Sequence, residues 1–323
     1  MGHEVHTIAT WWMWVGFLLF ILIMIAIDMF LLGGKKAHHV STKEALGWCI
    51  TWICLALLFN LLLWWYLWET KDAAVAYQRG LEFLTGYLIE KSLSVDNMFV
   101  FVMIFKYFAV PAKYQRRVLL FGVLSAIVLR FIMIITGVWL VAKFYWILYL
   151  FGAFLVFTGI KMLFMADDEP SIDKNPLLIW LQKHIRTTKE IQGEKFFIRQ
   201  KNLLYATPLF IVLIFIEISD IIFAVDSIPA IFAIVDDPFI IFTSNIFAIL
   251  GLRALYFLVA NMTEKFHFLK YGLSVILVFI GCKMLIAYWY KIPIGISLTV
   301  IASVLAFSVV LSIIYKPISH HKK

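Results

Sequence analysis

The chain has 323 residues, 63% hydrophobic and 15% charged, with a formal net charge of +8 and a mean hydropathy of +0.93. A soluble domain carries roughly 25% charge, so a water-soluble enzyme is excluded and a polytopic membrane protein is indicated. The basic residues lie in short connections between apolar segments, where they set topology and leave no soluble face for nucleic acid.

Residues 1–10 lack a basic leader region and the first apolar run, 11–32, has spanning length, so no cleaved signal peptide is expected. About twenty apolar residues cross a bilayer as a helix. Nine segments qualify: 11–32, 45–68, 82–108, 116–141, 145–165, 203–233, 239–260, 268–288 and 293–315. The expected fold is therefore all-α, one transmembrane domain over residues 1–323 with about nine helices. Nineteen Lys and Arg lie in one alternate set of connections and four (Lys71, Arg79, Lys143, Lys291) in the other. The basic set faces the cytoplasm. This puts the N-terminus outside, and the C-terminus and the long 166–202 loop in the cytoplasm. That loop holds PLLIWLQKHIR, which reads either as a short helix on the membrane surface or as a polar linker. Trp11, Trp12, Trp14, Trp64, Trp65 and Trp68 fit an interfacial aromatic belt. Cys49, Cys54 and Cys282 sit in apolar segments without CxxC spacing and read as small core residues.

Residues 83–163 match 208–286 as an internal repeat. Glu90 precedes Asp96 in EKSLSVDN as Asp220 precedes Asp226 in DIIFAVDS. GVLSAIVLR ends at Arg130 and NIFAILGLR at Arg253. FGAFLVFTGIKML carries Lys161 and YGLSVILVFIGCKML carries Lys283. Three spans per copy is an odd number, so the second copy is expected to be inverted relative to the first, with a site near the midplane where the copies meet.

Apart from Glu82 at the first position of 82–108, six carboxylates fall inside the predicted spans: Asp28, Glu90, Asp96, Glu217, Asp220 and Asp226. An ionisable group at bilayer depth is costly and marks an ion or substrate path. On a continuous helix Glu217 shares a face with Asp220, Glu90 with Asn97, and Asp220 with Ser227. Asp226 does not share a face with Asp220. Pro229 removes a backbone hydrogen bond and crowds the Val225 carbonyl, so a kink or break is expected around Val225–Asp226. The polar neighbours Ser92, Ser94, Asn97, Ser219, Ser227, Thr243, Ser244 and Asn245 all offer oxygen, and all eight histidines lie outside the spans. An oxygen-only set suits Mg²⁺, Ca²⁺ or Mn²⁺ and disfavours zinc and copper. The candidate cation ligands are Glu90, Asp96, Asn97, Glu217, Asp220, Asp226 and Ser227, with Asp28, Ser92 and Asn245 beside them. Asp28 reads equally as an interfacial charge. Lys91, Arg130 and Arg253 are the candidate counter-charges. Lys161 and Lys283, near span ends, could snorkel to the interface. The alternative is that these acids and bases only pair with one another to fix packing.

AIDMFLL around Asp28, FLTGYLIEKSLSVDN, EISDIIFAVDSIPAIFAI and TSNIFAILGLRALYF together resemble the TerC family of integral membrane proteins, across roughly residues 15–315. The resemblance is greatest to its bacterial inner-membrane manganese exporters. It implies a LysE-like exporter architecture, Mn²⁺ as transported substrate, and a role for Glu90, Asp96, Glu217, Asp220 and Asp226. No phosphate-binding GxxxxGK[ST] motif and no soluble ATPase domain is present. A secondary transporter without enzymatic activity or cofactor, exporting the cation in exchange for protons, is therefore expected. Its partners would be Mn²⁺, protons and the lipid bilayer, with no nucleic acid. Two other readings remain: a tellurite- or stress-resistance scaffold recruiting cytoplasmic partners through 166–202, and an oxyanion transporter using the buried bases.

Overall fold

Lipid offers no hydrogen bonds, so a chain this apolar must satisfy its backbone internally, and helices do so within one segment. The computed structural model describes residues 7–31, 41–144, 146–164, 185–188, 190–200, 203–262, 268–287, 289–290 and 292–315. Five helices come first: α1 (Trp11–Leu31), α2 (Thr42–Thr70), α3 (Ala73–Tyr107), α4 (Ala112–Lys143) and α5 (Ile147–Phe164). An antiparallel pair, β1 (Phe197–Gln200) and β2 (Leu203–Ala206), follows. Then come α6 (Pro208–Phe232), α7 (Pro238–Leu250), α8 (Leu252–Met262), α9 (Leu269–Ile286) and α10 (Ile294–Ile314).

Each of the nine expected segments carries a helix, and 239–260 carries the pair α7–α8. By length and apolarity α2, α4, α5, α6 and α10 can each cross a membrane, and α7 with α8 make a sixth crossing if the pair is one span. The described helices thus establish five or six crossings of the nine expected. The two short strands are a departure from all-α. They lie where the connection after α5 meets α6. Most of PLLIWLQKHIR falls outside the described residues.

Helix starts follow local chemistry. The Asp72 side chain accepts from the Val75 amide at 2.8 Å and begins α3 one residue after α2 is capped. Pro208 and Pro238 occupy first-turn positions, where their missing N–H is not needed. Asp237 caps α7 by accepting from the Phe239 amide at 2.8 Å, and it also accepts from the Ile8 amide at 2.6 Å. The segment before α1 is thereby tied to α7.

The break expected at Val225–Asp226 is not found. α6 runs uninterrupted to Phe232 with Pro229 inside it. Pro229 lies within the last turn, so it forfeits one bond with almost no helix beyond it to redirect. The bend occurs in the next segment, where α7 and α8 meet at Gly251 at 43°.

α7 lies at the centre. Every residue from Phe239 to Leu250 is buried, as expected for a helix apolar on all sides. Rings of Phe17, Phe59 and Phe83 pack against it, with the Phe59 centroid 4.9 Å from that of Phe247 on α7. Between the matching stretches 83–163 and 208–286, α3 packs on α7, α4 on α6, and α5 on α9. First helix thus meets second, second meets first, and third meets third. The α5–α9 contact is also reciprocal at residue level. A methyl at Gly281 would stand 2.7 Å from the Gly152 carbonyl oxygen, and one at Gly159 would stand 2.8 Å from that of Ser274. Only glycine lets backbones approach this closely. The pairs 152–281 and 159–274 run in opposite directions, so α5 and α9 are antiparallel.

Candidate cation site

Glu90 comes from α3, Arg130 from α4, Asp220 and Ser227 from α6, and Asn245 from α7. The packing of α3 on α7 and of α4 on α6 brings them to one place. Arg130 donates through Nη1 to Glu90 Oε1 at 2.6 Å and to Ser227 Oγ at 3.0 Å, with Asn245 Oδ1 at 3.4 Å. Its Nη2 lies 3.5 Å from Asp220 Oδ1. Asn245 donates Nδ2 to the second Glu90 oxygen at 3.1 Å. Glu90, Arg130, Asp220, Ser227 and Asn245 are all buried. Glu90 and Asp220 are the first acids of the two repeat motifs, so one guanidinium joins both halves of the chain.

Glu217 stands one turn before Asp220 on α6 and is half-buried. Ser125 of α4 donates to its Oε1. The other Glu217 oxygen and Asp220 Oδ2 are buried with no hydrogen-bond partner among the described residues. Unpaired buried carboxylate oxygens are costly, so these two mark where a ligand has most to gain. Asp220 also lines a cavity with Met98, Phe101, Leu119, Gly122, Val123, Ala126, Ile216, Leu252 and Arg253. This cavity reaches the cluster between α3, α4, α6 and α8.

Other expected residues are placed differently. Lys91 is not a counter-charge to the described acids. Its ammonium turns to the α7–α8 bend, where it donates to the Ala248 carbonyl at 3.4 Å. A cation at a helix C-terminus meets the carbonyls left unpaired there. Gly251 makes room for it, since a methyl at that position would lie 2.6 Å from Lys91 Nζ. Lys283 does not snorkel to the interface. It is buried and donates to Ser297 Oγ on α10 at 2.9 Å. Arg253 is buried beside Asp220 in the cavity wall. Ser92 turns back to the Leu88 carbonyl at 2.5 Å, and Asn97 is buried. The side chains of Asp28, Asp96 and Asp226 lie outside the described residues. Among the described residues, no group of three or more His, Cys, Asp or Glu could hold a metal ion. Ser125 was missed by the sequence reading. Its signal was a hydroxyl in an otherwise apolar stretch, five positions before Arg130.

Residues 75–320 match the family described as "Integral membrane protein TerC family". The chain is 57% identical to a protein of Shigella flexneri, over 95% of this chain and 96% of that one, and equally to one of Escherichia coli. Both bear the name "Putative membrane-bound redox modulator Alx". It is 41% identical to an "Uncharacterized membrane protein" of Rickettsia felis, over 95% and 99% of the two chains. No solved structure matches.

Proposed function

The chain belongs to the TerC family of integral membrane proteins, and on that premise we propose that it exports a divalent cation, Mn²⁺ first among them, from the cytoplasm in exchange for protons. The observation that carries this reading is the buried cluster Glu90–Arg130–Asp220, drawn from both copies of the repeat, with Glu217 one turn away. Carboxylates persist at such depth mainly where an ion must pass. The second oxygens of Glu217 and of Asp220, the latter residue lining a cavity, are hard donors, and hard donors favour Mn²⁺, Mg²⁺ and Ca²⁺ over thiophilic metals. Asp96 and Asp226, six positions after Glu90 and Asp220, complete the ligand supply in this reading.

The reciprocal contacts of α5 with α9, and of α3–α7 with α4–α6, support an inverted pair of three-helix units. Such pairs move one unit against the other around a central site. Nine crossings, with the N-terminus outside a bacterial inner membrane, agree with the helix on each apolar segment and with the loop charges. Cys49, Cys54 and Cys282 are free thiols, so the redox role in the relatives' name has no dithiol centre among the described residues.

The test is Mn²⁺ flux in everted inner-membrane vesicles with an imposed proton gradient. Uptake into everted vesicles that disappears in Asp220→Asn is expected. Equal flux with and without the protein rejects the proposal.

A further inference from the structure

We infer that Arg130 is a resident counter-cation that the substrate must displace: without substrate it holds Glu90 and Asp220 together, and a divalent cation loads by pushing its Nη2 away from Asp220. This rests on the cation-transport reading above and names the residue that governs loading.

The two ends of the guanidinium are held unequally. Nη1 is anchored at 2.6 Å to Glu90 and 3.0 Å to Ser227. Nη2 stands 3.5 Å from Asp220, well beyond the 2.7–2.9 Å or so of a charge-assisted hydrogen bond. The Asp220 contact is therefore the one that yields. Asp220 is 5% exposed and lines a cavity, and its other oxygen has no hydrogen-bond partner among the described residues. Glu217, three residues earlier on the same helix, offers a second unpartnered oxygen, its first being engaged by Ser125. A cation seated between these oxygens satisfies both at once.

Charge then sets the consequence. Glu90 and Asp220 share one positive charge, and the hydroxyl of Ser125 brings none to Glu217. A divalent ion beside Asp220 repels the guanidinium by Coulomb's law, and the firm Nη1 anchor on Glu90 gives Arg130 a place to remain. Loading thus exchanges a tethered cation for a mobile one at Asp220. Arg130 returns when the ion leaves, which weakens binding and speeds release. It also disfavours monovalent ions, whose single charge gains too little from the two acids to dislodge it.

The experiment is calorimetric titration of MnCl₂ into the purified full-length protein in nanodiscs, alongside flux in vesicles. Arg130→Gln is expected to bind Mn²⁺ about tenfold more tightly than wild type, given charge-pair energies of this size in a protein, while net flux falls. Ser227→Ala, which loosens Arg130 without removing a charge, is expected to tighten binding about two- to threefold and serves alone if Arg130→Gln does not fold. A purely structural Arg130 would lower affinity and flux together, so opposite movements of the two support displacement. Unchanged or weaker binding in a folded Arg130→Gln or in Ser227→Ala overturns the inference even where wild type transports Mn²⁺. A wild-type protein that neither binds nor moves Mn²⁺ overturns the transport reading as well.

Discussion

Arg130 Nη1 and Glu90 Oε1 stand 2.6 Å apart with both side chains 1% exposed, forty positions apart in the chain and on neighbouring helices. A pair this deep adds little stability over an apolar substitute, but removing one partner leaves a buried charge behind. The cluster is therefore both a structural joint and a charged site, and the two roles separate by experiment.

Glu90→Gln is expected to destabilise the fold by about 3–5 kcal/mol, the usual effect of breaking a buried pair from one side. Glu90→Gln with Arg130→Met and Asp220→Asn, which removes the guanidinium together with the second carboxylate it faces, is expected to recover part of that loss. Thermal unfolding in nanodiscs measures both. A triple variant less stable than Glu90→Gln contradicts the pairing.

Glu217→Gln is expected to behave otherwise. Among the described residues its hydrogen-bond partner is Ser125 and it forms no ion pair, so stability should change by less than about 1 kcal/mol. Mn²⁺ flux should nonetheless fall at least tenfold, because the amide loses the charge that a divalent ion requires. Size-exclusion profiles and vesicle flux at equal expression separate the two effects.

The glycine seam between α5 and α9 predicts a packing defect. Gly281→Ala places a methyl 2.7 Å from the Gly152 carbonyl, and overpacking of this kind costs about 1–3 kcal/mol. Gly47→Ala, with nothing within 4 Å of the added methyl, should be neutral or stabilising by up to about 1 kcal/mol, since alanine is the better helix former. The melting-temperature difference between the two variants is the measurement.

Topology has its own test. The basic excess in alternate connections predicts a cytoplasmic 166–202. Single cysteines introduced at Ser171 or Lys195 in a cysteine-free background should resist membrane-impermeant maleimide in intact cells and react after permeabilisation. A cysteine at Asp72 should react in both. The reverse pattern would invert the protein.

Cation choice and pH follow from the donors. Carboxylates must be deprotonated before they take a metal, so export should rise as the cytoplasmic side becomes alkaline and fall as it is acidified. Zn²⁺ should compete poorly against an oxygen-only set. Flux across a series of internal pH values, with and without Zn²⁺, checks both. Flux indifferent to pH removes proton exchange, and stronger Zn²⁺ transport removes the hard-donor argument.

Much of this protein is determined by sequence alone. Hydropathy places a helix on each of nine segments, because lipid leaves an apolar backbone no other way to satisfy its hydrogen bonds. Spacing within one helix puts Glu217 and Asp220 on one face, and the duplication is visible in the order of Glu90, Arg130 and Lys161 against Asp220, Arg253 and Lys283. Periodicity says nothing about which helix packs on which, and the partners of buried charges depend on that packing. Only the tertiary structure sends Lys91 to the Ala248 carbonyl and Arg130 to Glu90 and Asp220. It likewise decides that the central segment bends at Gly251 and that α6 continues through Pro229. A proline near a helix end redirects little. A glycine opposite the half-buried Lys91 leaves space that the lysine fills at the ends of the α7 carbonyls.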